Sequence, residues 1–105
     1  MPTLSHWING PTVTASTDTR LGDITNPATG KTTGQVALGS RTTVESAISA
    51  AAEAFPAWRD TSLAKRTSIR FNFRELLNAR KQELAAIVTA EHGKVVSDAL
   101  GEVSR

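Results

Sequence analysis

A change of period near residue 40 constrains this fold more than any other feature of the sequence. Up to Gly39 the chain is cut by turn pairs, Asn9-Gly10 and Asn26-Pro27-Ala28-Thr29-Gly30, with short β-prone runs between them. From Val44 to Val103 apolar residues recur at spacings of three and four. A two-residue Asn-Gly loop selects a tight hairpin, whereas the later spacing lines one face of a helix. Hairpins followed by helices are therefore expected.

His6-Trp7-Ile8 and Pro11-Thr12-Val13-Thr14 flank Asn9-Gly10 and read as a first ribbon, with Pro11 on an edge. Ala15 to Gly22 reads as loop. Asp23-Ile24-Thr25 and Thr32 to Leu38 flank the proline-glycine cluster and read as a second ribbon. Two such ribbons without a further partner are marginal in water. Ser40, Thr42 or Thr43 can cap a first helix whose stripe is Val44, Ala47, Ile48, Ala51 and Phe55. Pro56 is expected to stop it, with Trp58 folding back as an anchor. Thr61 or Ser62 caps a second helix carrying Ile69, Phe73, Leu76 and Leu77. A break is expected between Ala79 and Gln82, where Arg80 and Lys81 interrupt the stripe, and a C-terminal cap at Gly93. Val96, Ala99, Leu100 and Val103 mark a last helix, with Ser97 or Asp98 near its start. That stripe reaches Arg105 without a stop signal, so the expectation is a chain cut within a helix, against the alternative of a natural, frayed terminus.

Composition narrows function by exclusion. The 105 residues include no cysteine, so disulfides, thiolate metal sites and a thiol nucleophile are all excluded. The two histidines, His6 and His92, lie far apart, and no metal site is expected. A net charge of +2 gives no massed basic surface for nucleic acid. There is no apolar run long enough to span a membrane and no signal-peptide head, so a cytoplasmic protein with neither membrane nor nucleic-acid partner is expected.

No site of known type stands out. Neither Gly-x-Gly-x-x-Gly nor Gly-x-x-x-x-Gly-Lys-Ser/Thr occurs, and Gly30-Lys31 and Gly93-Lys94 read as turn and helix-end chemistry, Lys94 obeying the helix dipole. The carboxylates are spread over helix surfaces. Glu91 and His92, being adjacent, point apart by ~100° on a helix. No catalytic residue is assigned. Arg66, Arg70 and Arg74 recur every four residues as a basic stripe, read as a solvated face or as a docking face for an acidic segment. Phe71 lies almost opposite Ile69 and Phe73, so this helix is apolar on two sides and suited to the inside of a larger body.

Taken in order, these residues resemble the opening of an aldehyde dehydrogenase. The resemblance rests on His6-Trp7-Ile8-Asn9-Gly10, on Ile24-Thr25-Asn26-Pro27-Ala28-Thr29-Gly30, and on Gly34-Gln35-Val36-Ala37. Phe71-Asn72-Phe73-Arg74-Glu75-Leu76-Leu77, Glu91-His92-Gly93-Lys94 and Asp98-Ala99-Leu100-Gly101-Glu102-Val103-Ser104-Arg105 resemble, more narrowly, the CoA-acylating methylmalonate-semialdehyde dehydrogenase branch. It spans Leu4 to Arg105 and covers about the first fifth of a family member.

The resemblance implies an α/β parent enzyme, with residues 1–105 forming the N-terminal part of its NAD-binding domain: hairpins over about 5–39, three to four helices over about 42–105. It implies NAD as cofactor, CoA as co-substrate, malonate or methylmalonate semialdehyde as substrate in valine and inositol breakdown, and a tetrameric homo-oligomer. The family's cysteine and its NAD-holding residues are not represented, so the chain alone is expected to be inactive and to have the remainder of the parent as its partner. One residue carries over: Arg105, closing Gly101-Glu102-Val103-Ser104-Arg105, as the holder of the substrate carboxylate. The alternative is a self-contained α+β interaction module that binds an acidic partner through the Arg66, Arg70 and Arg74 face.

Overall fold

A computed structural model describes residues 1–105. They form two compact units, residues 1–25 with 32–60, and residues 26–31 with 61–105.

In the first unit, β2 (His6–Trp7) and β3 (Thr12–Val13) pair antiparallel, with His6 opposite Val13. Asn9 and Gly10 take φ of 57° and 99°, and the Ile8 N–H donates to the Pro11 carbonyl at 3.2 Å. This is the two-residue turn with both central residues at positive φ that Asn-Gly favours. β4 (Leu21–Thr25) and β5 (Thr32–Ala37) form the second expected hairpin, Leu21 opposite Ala37, with a register shift at Ile24/Thr25. The loop expected to run to Gly22 ends sooner, because Leu21 and Gly22 already pair along β5.

Strand β1 (Thr3–Leu4), not expected from its residues, runs parallel to β5 and makes a three-stranded sheet in the order β1-β5-β4. Gly34 makes room for it. A Cβ there would stand 3.0 Å from the Pro2 carbonyl oxygen, and the neighbouring Gln35 N–H donates to that same oxygen.

The first helix, α1, spans Arg41–Asp60. Ser40 is the cap among the three residues considered, its Oγ accepting the Thr43 N–H at 3.1 Å. The expected stop at Pro56 does not occur, and Trp58 stays on the helix instead of folding back. Proline's fixed φ is itself helical, so its cost is one lost hydrogen bond and ring crowding. The turn that contains it is tied by Arg59, whose guanidinium lies 5.8 Å from the centre of the Phe55 ring and pairs with Asp60.

In the second unit, Asn26 organises the turn. Its Oδ1 accepts the Ala28 N–H at 2.8 Å, its carbonyl accepts the Gly30 N–H at 2.7 Å, and its own N–H donates to Lys31. Helix α2 (Leu63–Ala79) is capped by Ser62, whose Oγ accepts the Lys65 N–H at 3.2 Å. The expected break falls at Arg80, whose φ of −110° and ψ of 20° leave the helical region, and α3 (Lys81–His92) follows. Arg80 then clasps Glu83 through two nitrogens, at 2.8 and 2.7 Å. Gly93 closes α3 in the left-handed conformation, φ 87°, as its sequence position predicts. Helix α4 (Val96–Ser104) has Asp98 in its first turn.

Neither unit buries a large side chain. The buried apolar residues are Ala37, Ala85 and Ala99, whereas Trp7 is 72% exposed, Phe71 58%, Phe73 61% and Leu76 63%. Both faces of α2 that the pattern marks as apolar are therefore open in this chain. A protein core ordinarily encloses its leucines and phenylalanines. Here the helices form without one.

Candidate functional site

The densest cluster of charge lies along α4. Val95, in extended conformation, starts the helix without a side-chain cap. Lys94, just before it, bends its side chain along the helix and is only 15% exposed. Its Nζ contacts Asp98 Oδ2 at 3.4 Å and donates a tight hydrogen bond to Glu102 Oε1. Asp98 and Glu102, four apart, share one side of α4, and Lys94, which precedes the helix, reaches both. The bond from Lys94 holds the Glu102 carboxyl below the usual carboxylate range. The same bond, helped by the charge of Asp98, holds the Lys94 ammonium above its ordinary value. Desolvation works against both shifts and does not overcome them.

Arg105 follows α4 directly. Its backbone N–H donates to the Glu102 carbonyl at 3.2 Å, and its exposed guanidinium makes no hydrogen bond or ion pair. A carboxylate three residues earlier is a natural helical partner for an arginine. Glu102, the residue in that position, is hydrogen-bonded to Lys94, and the charge of Arg105 acts on it as well without an ion pair between them. A guanidinium is able to grip a carboxylate at two points.

The other features read from sequence are not brought together. On α2, Arg66 donates to the Thr61 carbonyl at 3.1 Å, while Arg70 and Arg74 are exposed and form no ion pair. His6 belongs to the first unit and His92 to the second. Groups able to hold a metal ion are absent, and no helix is long and apolar enough to cross a membrane. A concavity of about 720 Å³ lies in the first unit between residues 6–20 and 38–43. Within its lining Ser16 bonds Thr19 and Ser40 bonds Thr43, while Arg41 pairs with Glu45 on the next turn of α1.

Comparison with known proteins places this geometry. The sequence profile described as the aldehyde dehydrogenase family matches residues 13–105. The chain belongs to the aldehyde dehydrogenase family. It is 43% identical to the malonate-semialdehyde dehydrogenase of Bacillus velezensis, over 97% of this chain and 21% of that protein. The crystal structure of methylmalonate-semialdehyde dehydrogenase from Oceanimonas doudoroffii is 46% identical and superposes with a TM-score of 0.92, over 99% of this chain and 21% of that one. A Sinorhizobium meliloti structure solved in complex with NAD is 40% identical, with a TM-score of 0.92 over all of this chain and 21% of that one. The chain thus spans about a fifth of the length of its relatives, and its hairpins and helices are part of their α/β fold.

NAD and CoA both carry phosphates, and the glycine pairs are the places where backbone amides could meet them. The Gly30 N–H donates to Asn26, the Lys31 N–H to Thr29 Oγ1 at 3.3 Å, and the Gly93 N–H to Thr89. Those amides are spent inside the chain. The sequence did single out Arg105 and Lys94, but it read Lys94 as a helix-end charge. The repeat of four linking Lys94, Asp98 and Glu102 was the available signal for their cluster.

Proposed function

We propose that this chain is the N-terminal scaffold of an NAD-dependent, CoA-acylating malonate- or methylmalonate-semialdehyde dehydrogenase, in which Arg105 binds the substrate carboxylate. The observation that carries the reading is 40–46% identity to malonate- and methylmalonate-semialdehyde dehydrogenases over nearly the whole chain. The Lys94–Glu102 bond beside Arg105, whose guanidinium forms no ion pair, supports the role given to that residue. A malonic semialdehyde bears a carboxylate two bonds from its aldehyde carbon, so a fixed guanidinium would set both the position and the orientation of the carbonyl.

The division of labour follows from composition. With no cysteine, this chain offers no thiolate to attack an aldehyde. The nucleophile, the NAD that accepts hydride and the CoA that takes the acyl group all belong to the remainder of the parent, as does the rest of the NAD-binding domain. Residues 1–105 contribute hairpins, helices and one anion contact, in a cytoplasmic enzyme assembled as a homotetramer. Alone they are inactive.

The test is a chimera in which this chain replaces the matched fifth of the Bacillus velezensis enzyme. It should reduce NAD with malonate semialdehyde, and the 105-residue chain alone should not. Arg105→Gln should raise KM for malonate semialdehyde roughly 10- to 100-fold, the worth of a hydrogen-bonded charge pair, while leaving propanal, which lacks the carboxylate, unaffected. An unchanged ratio between the two substrates would remove Arg105 from the site.

One observation favours a second reading. Arg70 and Arg74 are exposed and unpaired beside the apolar residues of α2, which suits an acidic partner. Binding through that face would weaken steeply with salt.

A further inference from the structure

We infer that Lys94 is a specificity-determining positioning residue: by engaging Glu102 it keeps the α4 carboxylates off Arg105 and leaves that guanidinium for the carboxylate of the substrate. The inference rests on the reading of Arg105 above and extends it to residues that have no contact with substrate themselves.

The geometry gives the reason. Glu102 and Arg105 are three residues apart, the spacing at which opposite charges pair on a helix. Such a pair would be intramolecular, and its effective concentration would exceed that of a metabolite in solution. Left alone, Glu102 would therefore compete with the substrate for the same two nitrogens. Lys94 prevents this by reaching along two turns of α4 to Glu102 Oε1, with Asp98 Oδ2 3.4 Å from the same Nζ. The ammonium also separates two like charges at Asp98 and Glu102, whose spacing of four is otherwise repulsive. Its side chain is 15% exposed, whereas those of Arg41, Arg59 and Arg80, which form the other ion pairs, are 59–92% exposed. Lys94 is thus held in place, and Glu102 with it.

The experiment uses the chimera described above and four variants: Lys94→Gln, Glu102→Gln, Lys94→Gln with Glu102→Gln, and Arg105→Gln. Lys94→Gln should raise KM for malonate semialdehyde about three- to tenfold, with kcat and the KM for propanal unchanged. An exposed helical pair supplies about twofold of this and the two-point grip of a guanidinium on a carboxylate the rest. The double variant should return KM to near the parent value, because the competitor is gone. Loss of packing around Lys94 would instead affect both substrates and would not be rescued. A Lys94→Gln enzyme with unaltered selectivity, or a double variant no better than the single one, overturns the inference. If Arg105→Gln also leaves selectivity unaltered, the reading of Arg105 itself has failed. A crystal structure of the Lys94→Gln chimera decides the matter independently of turnover. Glu102 bonded to Arg105 is the expected result, and Glu102 directed away from it is the contrary one.

Discussion

The same substitution, glycine to alanine, should have opposite effects at Gly93 and Gly101. At Gly93 φ is 87°, and an added Cβ would stand 3.1 Å from Pro27 Cγ and 3.6 Å from Pro27 Cβ. The left-handed conformation costs an L-residue about 1–2 kcal/mol, and a carbon contact several tenths of an ångström inside the usual ~3.5–4.0 Å adds roughly another 1 kcal/mol. Gly93→Ala should therefore destabilise the α3 terminus and its packing on the Asn26–Lys31 turn by about 2–3 kcal/mol. Gly101 is inside α4, and its added Cβ would meet nothing within 4 Å. There alanine should stabilise the helix by about 0.5–1 kcal/mol, the ordinary propensity difference. The assay is circular dichroism at 222 nm of both variants and the parent, compared by the helix signal each retains across a urea series. The order Gly101→Ala above parent above Gly93→Ala is expected. A Gly93→Ala chain that melts with the parent or later would refute both the left-handed cap and the approach of Pro27.

Protonation gives a second expectation. Glu102 and Glu83 are held below the usual carboxylate range, chiefly by hydrogen bonds from Lys94 and Arg80, so their contribution to stability is complete at neutral pH and is lost as pH falls through their lowered values. The raised Lys94 group contributes below the ordinary lysine range and loses its effect only as pH rises through its raised value. Helix content should thus be level between about pH 6 and 9 and decline on the acid side below ~4; a decline beginning above pH 6 would show that other groups dominate. Ser62→Ala removes the acceptor of the Lys65 N–H and should cost about 1 kcal/mol at the start of α2, read as a smaller helix signal at 222 nm.

Much of the fold was legible because local chemistry decided it. Asn9-Gly10 demanded positive φ at two successive residues and obtained a tight turn, and Arg80 with Lys81 broke the apolar stripe where α2 and α3 separate. Gly93 was read as a cap on the same grounds. The errors arose where a distant or compensating contact decided instead. Strand β1 depends on Gly34 thirty residues away, which two residues of sequence cannot reveal. Pro56 was read as a stop because the rule counts its lost hydrogen bond but not the Arg59–Phe55 contact in the same turn. For the candidate site, Arg105 was visible through family resemblance alone, since an unpaired arginine at a chain end has no pattern. The Lys94 cluster lay in plain view at spacings of four and was passed over because the helix-dipole rule already accounted for the charge.

Residues 1–105 form secondary structure without a large buried side chain and match about a fifth of the length of their aldehyde dehydrogenase relatives. Urea unfolding of the 105-residue chain, with circular dichroism recorded beside the fluorescence of a hydrophobic dye, tests this most directly. The exposed Trp7, Phe71, Phe73 and Leu76 predict strong dye binding in the absence of urea and a broad, shallow loss of helix signal. A single steep transition with little dye bound would contradict the claim and mark an autonomous domain, for which the basic face of α2 would become the surface to test.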